Sequence, residues 1–305
     1  MRASWPFIVV MGAFNLSAAL LLAPLYEGIM RKLRARLHSR TGPPVAQPYL
    51  DLLKLLGKED LRTARGAFYA GAPALATGSV LLLALLVPLG APAPLGFAGD
   101  IVVVIYVAAM SAVLLMLTAF ASGSPYAAVG SSREMMMLLS VEPVMVVALV
   151  VGALKAGTLA TGGIVAWQLA HGPTISMVVA GIAFLLALQA QAGKLPFDIA
   201  EAEQEIMGGP LIEQSGPRLA LFKWALWMKQ FILAVLLVEV FCPWPHTGFV
   251  AVNVLATLAK ALVVLLLVAV VDVVSPRLRV DQAMAYYLRV AFSTLAALAF
   301  AVIGM

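Results

Sequence analysis

The stretch GDIVVVIYVAAMSAVLLMLTAFA, residues 99–121, decides the class of fold. From Ile101 to Ala121 it carries no charged side chain over 21 residues, which is enough helix to cross a hydrocarbon core of about 30 Å. Similar stretches lie near residues 3–30, 70–90, 133–157, 174–192, 220–243, 249–273 and 284–304. The sequence therefore predicts an all-α, polytopic integral membrane protein with about eight transmembrane helices in a single domain, residues 1–305.

The composition agrees with this class. The 305 residues are 63% hydrophobic and only 11% charged, and the mean hydropathy is +1.00. A soluble domain carries roughly a quarter charged residues, so lipid must solvate most of this surface.

The single cysteine, Cys242, excludes a disulfide and any iron–sulfur cluster or structural zinc site held by this chain alone. No phosphate loop, HExxH or nucleophile motif occurs, so no catalytic residue and no metal ligand is predicted.

Lysine and arginine alternate between the connections. They occur in the first, third, fifth and seventh connections, whereas residues 91–98, 158–173 and 244–248 contain none. Positive charge marks the cytoplasmic side of a membrane protein. The pattern predicts a cytoplasmic (inner) membrane protein of a prokaryote with both termini outside. The apolar run at residues 3–30 is too long for a signal-peptide core, and we expect it to be retained.

The first connection, residues 31–65, is strongly basic, with nine basic and three acidic residues. Within it, the segment from Pro48 to Gly57 together with the next residue, Lys58, has Asp51, Lys54 and Lys58 at helical spacing, with leucines on the other faces. This pattern predicts a short amphipathic helix at the membrane interface or beneath a partner. Spacing alone does not decide between these two positions.

The connection at residues 193–219 is acidic instead, with five acidic and two basic residues. A helix starting near Asp198 would place Asp198, Glu201 and Glu205 on one face, with Glu203 pointing roughly the other way. Neighbouring carboxylates raise one another's pKa, and burial raises it further, so this face suits a proton funnel. The alternative is a solvated loop that balances the basic connection.

Several ionisable residues fall within the predicted spans. Charge in hydrocarbon is costly, so such residues normally face the bundle interior and pair. They form either ion pairs that orient helices or a path for protons. Residues nearer the helix ends, namely Glu27, Lys155, Lys223 and Arg289, are explained by snorkelling to the interface. The residues deeper in the spans are Glu134, Glu142, Lys229, Glu239 and Lys260.

Four motifs resemble one family. In order they are RARLHSRTGPPVAQPYLDLLKLL (residues 34–56), SPYAAVGSSRE (124–134), VEP (141–143) and KLPFDIAEAEQE with GPLIEQSG (194–216). The chain resembles the membrane subunit shared by respiratory complex I (subunit 1 or H) and membrane-bound NiFe-hydrogenases. The compact first motif is more similar to the hydrogenase branch, as in formate hydrogenlyase or hydrogenase-4-type complexes. Gln214 departs from the family, which usually has tyrosine there.

The resemblance implies a non-catalytic membrane subunit of a multi-subunit oxidoreductase. It would dock a peripheral redox arm and couple electron transfer to proton or sodium movement. The NiFe centre and iron–sulfur clusters would lie in partner chains: hydrogenase large and small subunits, iron–sulfur subunits and antiporter-like membrane subunits. The alternative is the quinone-chamber subunit of complex I. A stand-alone transporter is a third hypothesis, but its internally similar halves are not visible in the sequence.

Together, spacing and resemblance give two sets of candidate residues. The ion path is predicted to contain Glu134, Glu142, Asp198, Glu201, Glu205, Lys229, Glu239 and Lys260. The peripheral arm is predicted to dock on Arg36, Arg40, Asp51, Lys54, Glu203 and Glu213.

Overall fold

The computed structural model describes residues 5–64, 66–97 and 99–304, and it leaves the side chain of Glu203 undescribed. The described residues form eleven α-helices and one short 3₁₀ turn, with no β-strand. The helices are α1 (Trp5–Leu37), α2 (Gln47–Leu56), α3 (Ala67–Leu86), α4 (Ile101–Ala121), α5 (Pro125–Ala156), α6 (Thr161–His171), α7 (Ile175–Gln191), α8 (Glu203–Ile206), α9 (Gly216–Phe241), α10 (Val250–Val274) and α11 (Val280–Ile303); the 3₁₀ turn is Gly209–Leu211.

The polytopic all-α fold is confirmed. Among the described residues, seven helices are long and apolar enough to cross a membrane: α1, α3, α4, α5, α9, α10 and α11. The eighth predicted span is α7, an apolar helix of 17 residues, which rises about 26 Å and falls at the short end of the spanning range. The predicted amphipathic helix is α2. Its Leu50 and Leu53 are exposed and its Leu52 is buried.

Helix α9 lies at the centre of the bundle. It is buried along nearly its whole length and contacts α1, α3, α7 and α10. The outer helices pack in neighbouring pairs, with α4 between α3 and α5, and with α11 against α5 and α7. Because α9 meets protein rather than lipid on most sides, it accommodates the buried polar side chains Arg218, Lys229, Gln230 and Glu239 at a lower cost than a lipid-facing helix would.

Two helices extend beyond their predicted limits, and one was missed. Helix α1 continues to Leu37, beyond the predicted span 3–30, and α5 begins at Pro125, before the predicted span 133–157. Within α5, Gly130 lets the 3₁₀ turn pack closely, because an added Cβ would collide with Gly209. The short helix α6 lies in the connection 158–173, for which no helix was predicted.

The connections 38–64, 122–124, 192–215 and 275–279 lie at one end of the bundle, which we call the loop end. Ion pairs join these segments: Asp60 to Arg218 at 2.8 Å, and Asp198 to Arg277 at 3.0 Å. The guanidinium of Arg218 also lies 4.9 Å from the ring centroid of Tyr69. The loop end is therefore a folded layer of charged side chains rather than a set of independent loops.

Candidate functional site

The acidic connection does not form the predicted helix. Residues 192–202 are irregular, and helix begins only at Glu203. The prediction was wrong because the segment buries Phe197, Ile199, Ala200 and Ala202, which would point to all sides of a helix. The chain then turns back on itself at the paired glycines. Gly209 has a φ of +51°, and a Cβ there would collide with the carbonyl oxygen of Ala200.

The acids of this connection consequently have different surroundings. Arg277 binds Asp198 twice, through its carboxylate at 3.0 Å and through its carbonyl oxygen at 2.7 Å. Arg133 donates to the carboxylate of Glu205 at 2.7 Å, and this hydrogen bond holds the pKa of Glu205 below its ordinary value. Glu201 makes no such pair and lines a cavity instead.

That cavity has a volume of about 300 Å³ and lies at the loop end, between the acidic connection and the helices α1, α5, α7 and α9. Its lining combines eight ionisable and two amide residues with ten nonpolar ones, which include Leu115, Phe197 and Leu226. A cavity of this size and polarity has room for several water molecules. The charged and amide residues that line it are Glu27, Arg31, Arg34, Glu134, Gln191, Lys194, Asp198, Glu201, Lys223 and Gln230.

Glu201 is one of the ionisable groups of this cavity, and it lies in the connection outside the helices. Burial raises its pKa to about 7, the positive charges of Lys194 and Lys223 oppose the rise, and the negative charges of Asp198 and Glu134 add to it. A carboxyl group with a pKa near 7 exchanges its proton at neutral pH. Glu201 and Glu205 lie four residues apart but have pKa values shifted in opposite directions. Glu201 therefore exchanges its proton near neutral pH, whereas Glu205 stays ionised.

A buried ion cluster forms the α1 side of the cavity. The Oε1 atom of Glu27 accepts from Arg31 at 3.0 Å, from Arg34 at 3.2 Å and from Lys194 at 3.4 Å. Arg34 also pairs with Asp272 at 3.0 Å, and Asp272 accepts the backbone N–H of Leu195 at 2.8 Å. The cluster therefore ties α1 and α10 to the start of the acidic connection.

Sequence reasoning missed this cluster. Glu27 was assigned to snorkelling, yet it is only 2% exposed, and Asp272 is only 6% exposed. The spacing of Glu27, Arg31 and Arg34 at i, i+4 and i+7 was a usable signal, because it places three complementary charges on one helix face. No comparable signal exists for Asp272, whose partners come from distant segments.

Three polar side chains extend from this region into a second, mostly apolar cavity. That cavity has a volume of about 20 Å³, enough for one water molecule, and its polar lining residues are Glu142, Gln191 and Lys229. Gln191 lines both cavities. The buried ammonium of Lys229 interacts electrostatically with both Glu134 and Glu142, which lie about 12 Å apart along α5. The structure thus brings Glu134, Glu142, Glu201 and Lys229 of the predicted ion path into one polar region.

Two predicted path residues lie elsewhere. The Oε1 atom of Glu239 accepts from the backbone N–H of Gly90 at 2.9 Å and from the hydroxyl of Thr257 at 2.6 Å. Lys260 donates to the carbonyl oxygen of Cys242 at 2.8 Å. Glu239 follows Lys229 by ten residues on α9, or about 15 Å toward the opposite end of the bundle. These residues form a separate cluster that no described cavity joins to the first.

The predicted docking residues lie mostly at the surface of the loop end. Arg36, Arg40 and Lys54 are exposed. Asp51 is half-buried and pairs with Arg31 at 2.9 Å. Glu213 is also partly buried, and its carbonyl oxygen accepts from the hydroxyl of Tyr69 at 3.2 Å. The side chain of Glu203, the remaining docking candidate, lies outside the described part of the chain.

No group of three or more His, Cys, Asp or Glu side chains converges as a metal site within the described ranges. The assignment of redox cofactors to partner subunits is untested by this observation and stays a prediction.

Comparison with known proteins gives consistent relatives. Residues 9–303 match the family described as NADH dehydrogenase. The chain is 34% identical over 282 residues to hydrogenase-4 component C of Escherichia coli (strain K12), covering 87% of each protein. It is 36% identical over 273 residues to formate hydrogenlyase subunit 4 of the same organism, covering 85% of this chain and 88% of the relative. H subunits of bacterial NADH-quinone oxidoreductases are similar as well.

Among solved structures, the chain is similar to one chain of the membrane-bound sulfane sulfur reductase, an archaeal respiratory membrane complex. The TM-score is 0.89 at 29% sequence identity, and the match covers 96% of this chain and 99% of that one. The shared fold therefore extends over nearly the whole molecule.

Proposed function

Because the chain belongs to the NADH dehydrogenase subunit 1/H family of membrane subunits in oxidoreductase complexes, we propose that it is the ion-translocating anchor of an energy-converting NiFe-hydrogenase. In this role it is a non-catalytic subunit that docks a peripheral redox arm in the cytoplasm. It couples electron transfer in that arm to proton or sodium movement. The similarity to hydrogenase-4 component C and to formate hydrogenlyase subunit 4 supports this proposal.

The observation that carries the proposal is the polar region between the loop end and the middle of the membrane. Glu201 in the larger cavity exchanges a proton near neutral pH, and Glu142 beside Lys229 occupies the deeper cavity. Charged residues at such depth are costly in a purely structural role. A change of charge in a docked arm would act on Glu201 first, and Lys229 would transmit it to Glu134 and Glu142.

The loop end suits a docked arm. Arg36, Arg40 and Lys54 are exposed there, and basic surface groups guide a partner by electrostatic complementarity. The positive first connection supports a cytoplasmic position for this end and an outside position for both termini. The NiFe centre and iron–sulfur clusters would be held by the partner subunits, since this chain has one cysteine.

The second candidate is the quinone-chamber subunit of complex I, which the NADH-quinone oxidoreductase relatives favour. A quinone ring and isoprenoid tail need a largely apolar chamber. The cavity at the loop end has ten nonpolar lining residues but also eight charged ones, and the charged residues suit water and ions better. This charge supports the hydrogenase assignment.

Purification of the tagged chain in mild detergent tests the proposal. We expect nickel, iron–sulfur proteins and antiporter-like membrane subunits to co-purify, and we expect the preparation to evolve hydrogen. Flavin, quinone reduction and no nickel would instead assign the chain to a complex I. Ion or solute uptake by the isolated chain in liposomes would contradict both assignments and indicate a stand-alone transporter.

A further inference from the structure

The outermost transmembrane helix, α11, has two contrasting faces. One face is buried against α5 and α7, and its residues recur at helical spacing: Ala283, Tyr287, Val290, Thr294 and Ala297. Tyr287 on this face also donates to the carbonyl oxygen of Leu186 in α7 at 2.8 Å. The other sides of α11 are exposed, and the face directly opposite the buried one carries the large apolar side chains Leu288, Phe292 and Leu295, which suit lipid.

A line of polar side chains runs along one flank of α11, about 100° round the helix from the middle of the buried face. Gln282, Arg289 and Ser293 are all exposed and lie within about 40° of one another on the helix. Gln282 accepts from the backbone N–H of Arg279 at 3.1 Å, and the hydroxyl of Ser293 donates to the carbonyl oxygen of Val290 at 2.7 Å. Arg289 follows the first residue of α11 by nine positions, which places it about 14 Å along the helix axis. Within the described chain, Arg289 has no ion-pair partner and no hydrogen bond, so its charge is uncompensated at membrane depth.

Helix α4 shows how a lipid-facing surface looks in the same molecule. Its exposed residues are apolar or aromatic, including Val102, Tyr106, Met110, Leu117 and Phe120, and none is charged. The exposed face of α11 also has small residues, Ala285 and Ala296, between the polar ones. Small residues let two helix backbones approach closely, and polar side chains hydrogen-bond across such contacts.

We propose that the α11 face defined by Gln282, Arg289 and Ser293 binds a transmembrane helix of another membrane subunit, and that a carboxylate on that helix pairs with Arg289. An arginine within the membrane is normally matched by an acidic partner inside a protein interface. The inference deepens the proposed function, because it assumes assembly with other membrane subunits. It does not depend on which electron acceptor or ion the complex uses.

Photo-crosslinking identifies the occupant of this face. With p-benzoylphenylalanine at Ala285 in the intact complex, we expect one membrane subunit to be crosslinked, within a transmembrane segment that contains Asp or Glu. Crosslinks to lipid alone, or to a segment without an acid, would overturn the proposal and leave Arg289 snorkelling to the interface.

Removing the charge tests the ion pair. Arg289→Leu leaves the partner carboxylate buried and unpaired, so we expect at least about a tenfold loss of that subunit from the purified complex. Arg279→Leu, at the water-exposed start of the same helix, is the matched control and should retain it. Replacing the partner acid by leucine as well should restore retention. Full retention in the Arg289→Leu single variant would refute the pairing.

Subunit retention tests the ion pair of Arg289 independently of the proposed hydrogenase function. Subunit retention is measured without hydrogen or ion assays, and the amount of chain in the membrane fraction shows whether each variant still inserts. A complex that retains its subunits but evolves no hydrogen would refute the hydrogenase assignment alone.

Discussion

Replacing Glu201 by glutamine is expected to stabilise the protein at alkaline pH, although it removes a residue of the proposed ion path. Burial moves the pKa of Glu201 from 4.5 to about 7. The folded state therefore binds this proton more tightly than the unfolded state does, and the free energy of unfolding falls as the pH rises from about 4.5 to about 7.

The size of the effect follows from the same shift. At about 1.4 kcal/mol for each tenfold change in proton affinity, it corresponds to about 3 kcal/mol above pH 7. At pH 5 the calculated cost falls below about 1 kcal/mol. Glutamine carries no charge at either pH, so Glu201→Gln should melt several degrees above the wild type at pH 8 and close to it at pH 5.

Glu205→Gln is the matched control, because it makes the same chemical change four residues away. The hydrogen bond from Arg133 lowers the pKa of Glu205, so its ionised form contributes stability that is present above about pH 4.5 and lost in acid. The glutamine variant should therefore melt lower than the wild type at pH 8. Melting curves of the purified complex at both pH values measure the two effects. A Glu201→Gln complex that melts below the wild type at pH 8 would refute the reasoning.

Three further outcomes are expected. Glu142→Gln should lower ion translocation into proteoliposomes about tenfold or more while hydrogen evolution falls less; equal losses would remove this residue from the path. Asp272→Ala loses an ion pair and the acceptor for the Leu195 N–H, and should lower the free energy of unfolding by about 3 kcal/mol. Asp272→Asn keeps an acceptor and should recover part of that loss in the same melting assay. Gly209→Ala should prevent assembly, because its Cβ meets a backbone carbonyl, whereas Gly78→Ala has open space and should assemble normally on a native gel.

The spans were predictable because their signal is local. The stretch at residues 99–121 requires a membrane whatever the rest of the chain does, and α4 begins and ends within two residues of that stretch. The amphipathic helix α2 was predictable for the same reason. Helix α7 was also found by its apolar run, although it is shorter than the other spans.

The geometry of the site was not predictable, because its determinants are distant in sequence. Whether Asp198 or Glu201 is held in an ion pair depends on Arg277, which follows them by more than seventy residues. Glu27 was predicted to snorkel from a helix end, because nothing near it in the sequence shows that Lys194 forms an ion pair with it. Hydropathy and spacing identify which residues are costly to bury, but only packing shows which of them meet.

The neutral amide of Gln191 has a consequence for the resting complex. It stands between a cavity whose Glu201 exchanges protons and a cavity that holds Glu142, and an amide passes hydrogen bonds along but does not store a proton at neutral pH. No proton rests at Gln191, so the proposed coupling between Glu201 and Glu142 is electrostatic and runs through Glu134 and Lys229. A carboxylate at position 191 would add a direct path for protons between the two cavities, and the ion gradient would then discharge through the subunit even when no electrons flow.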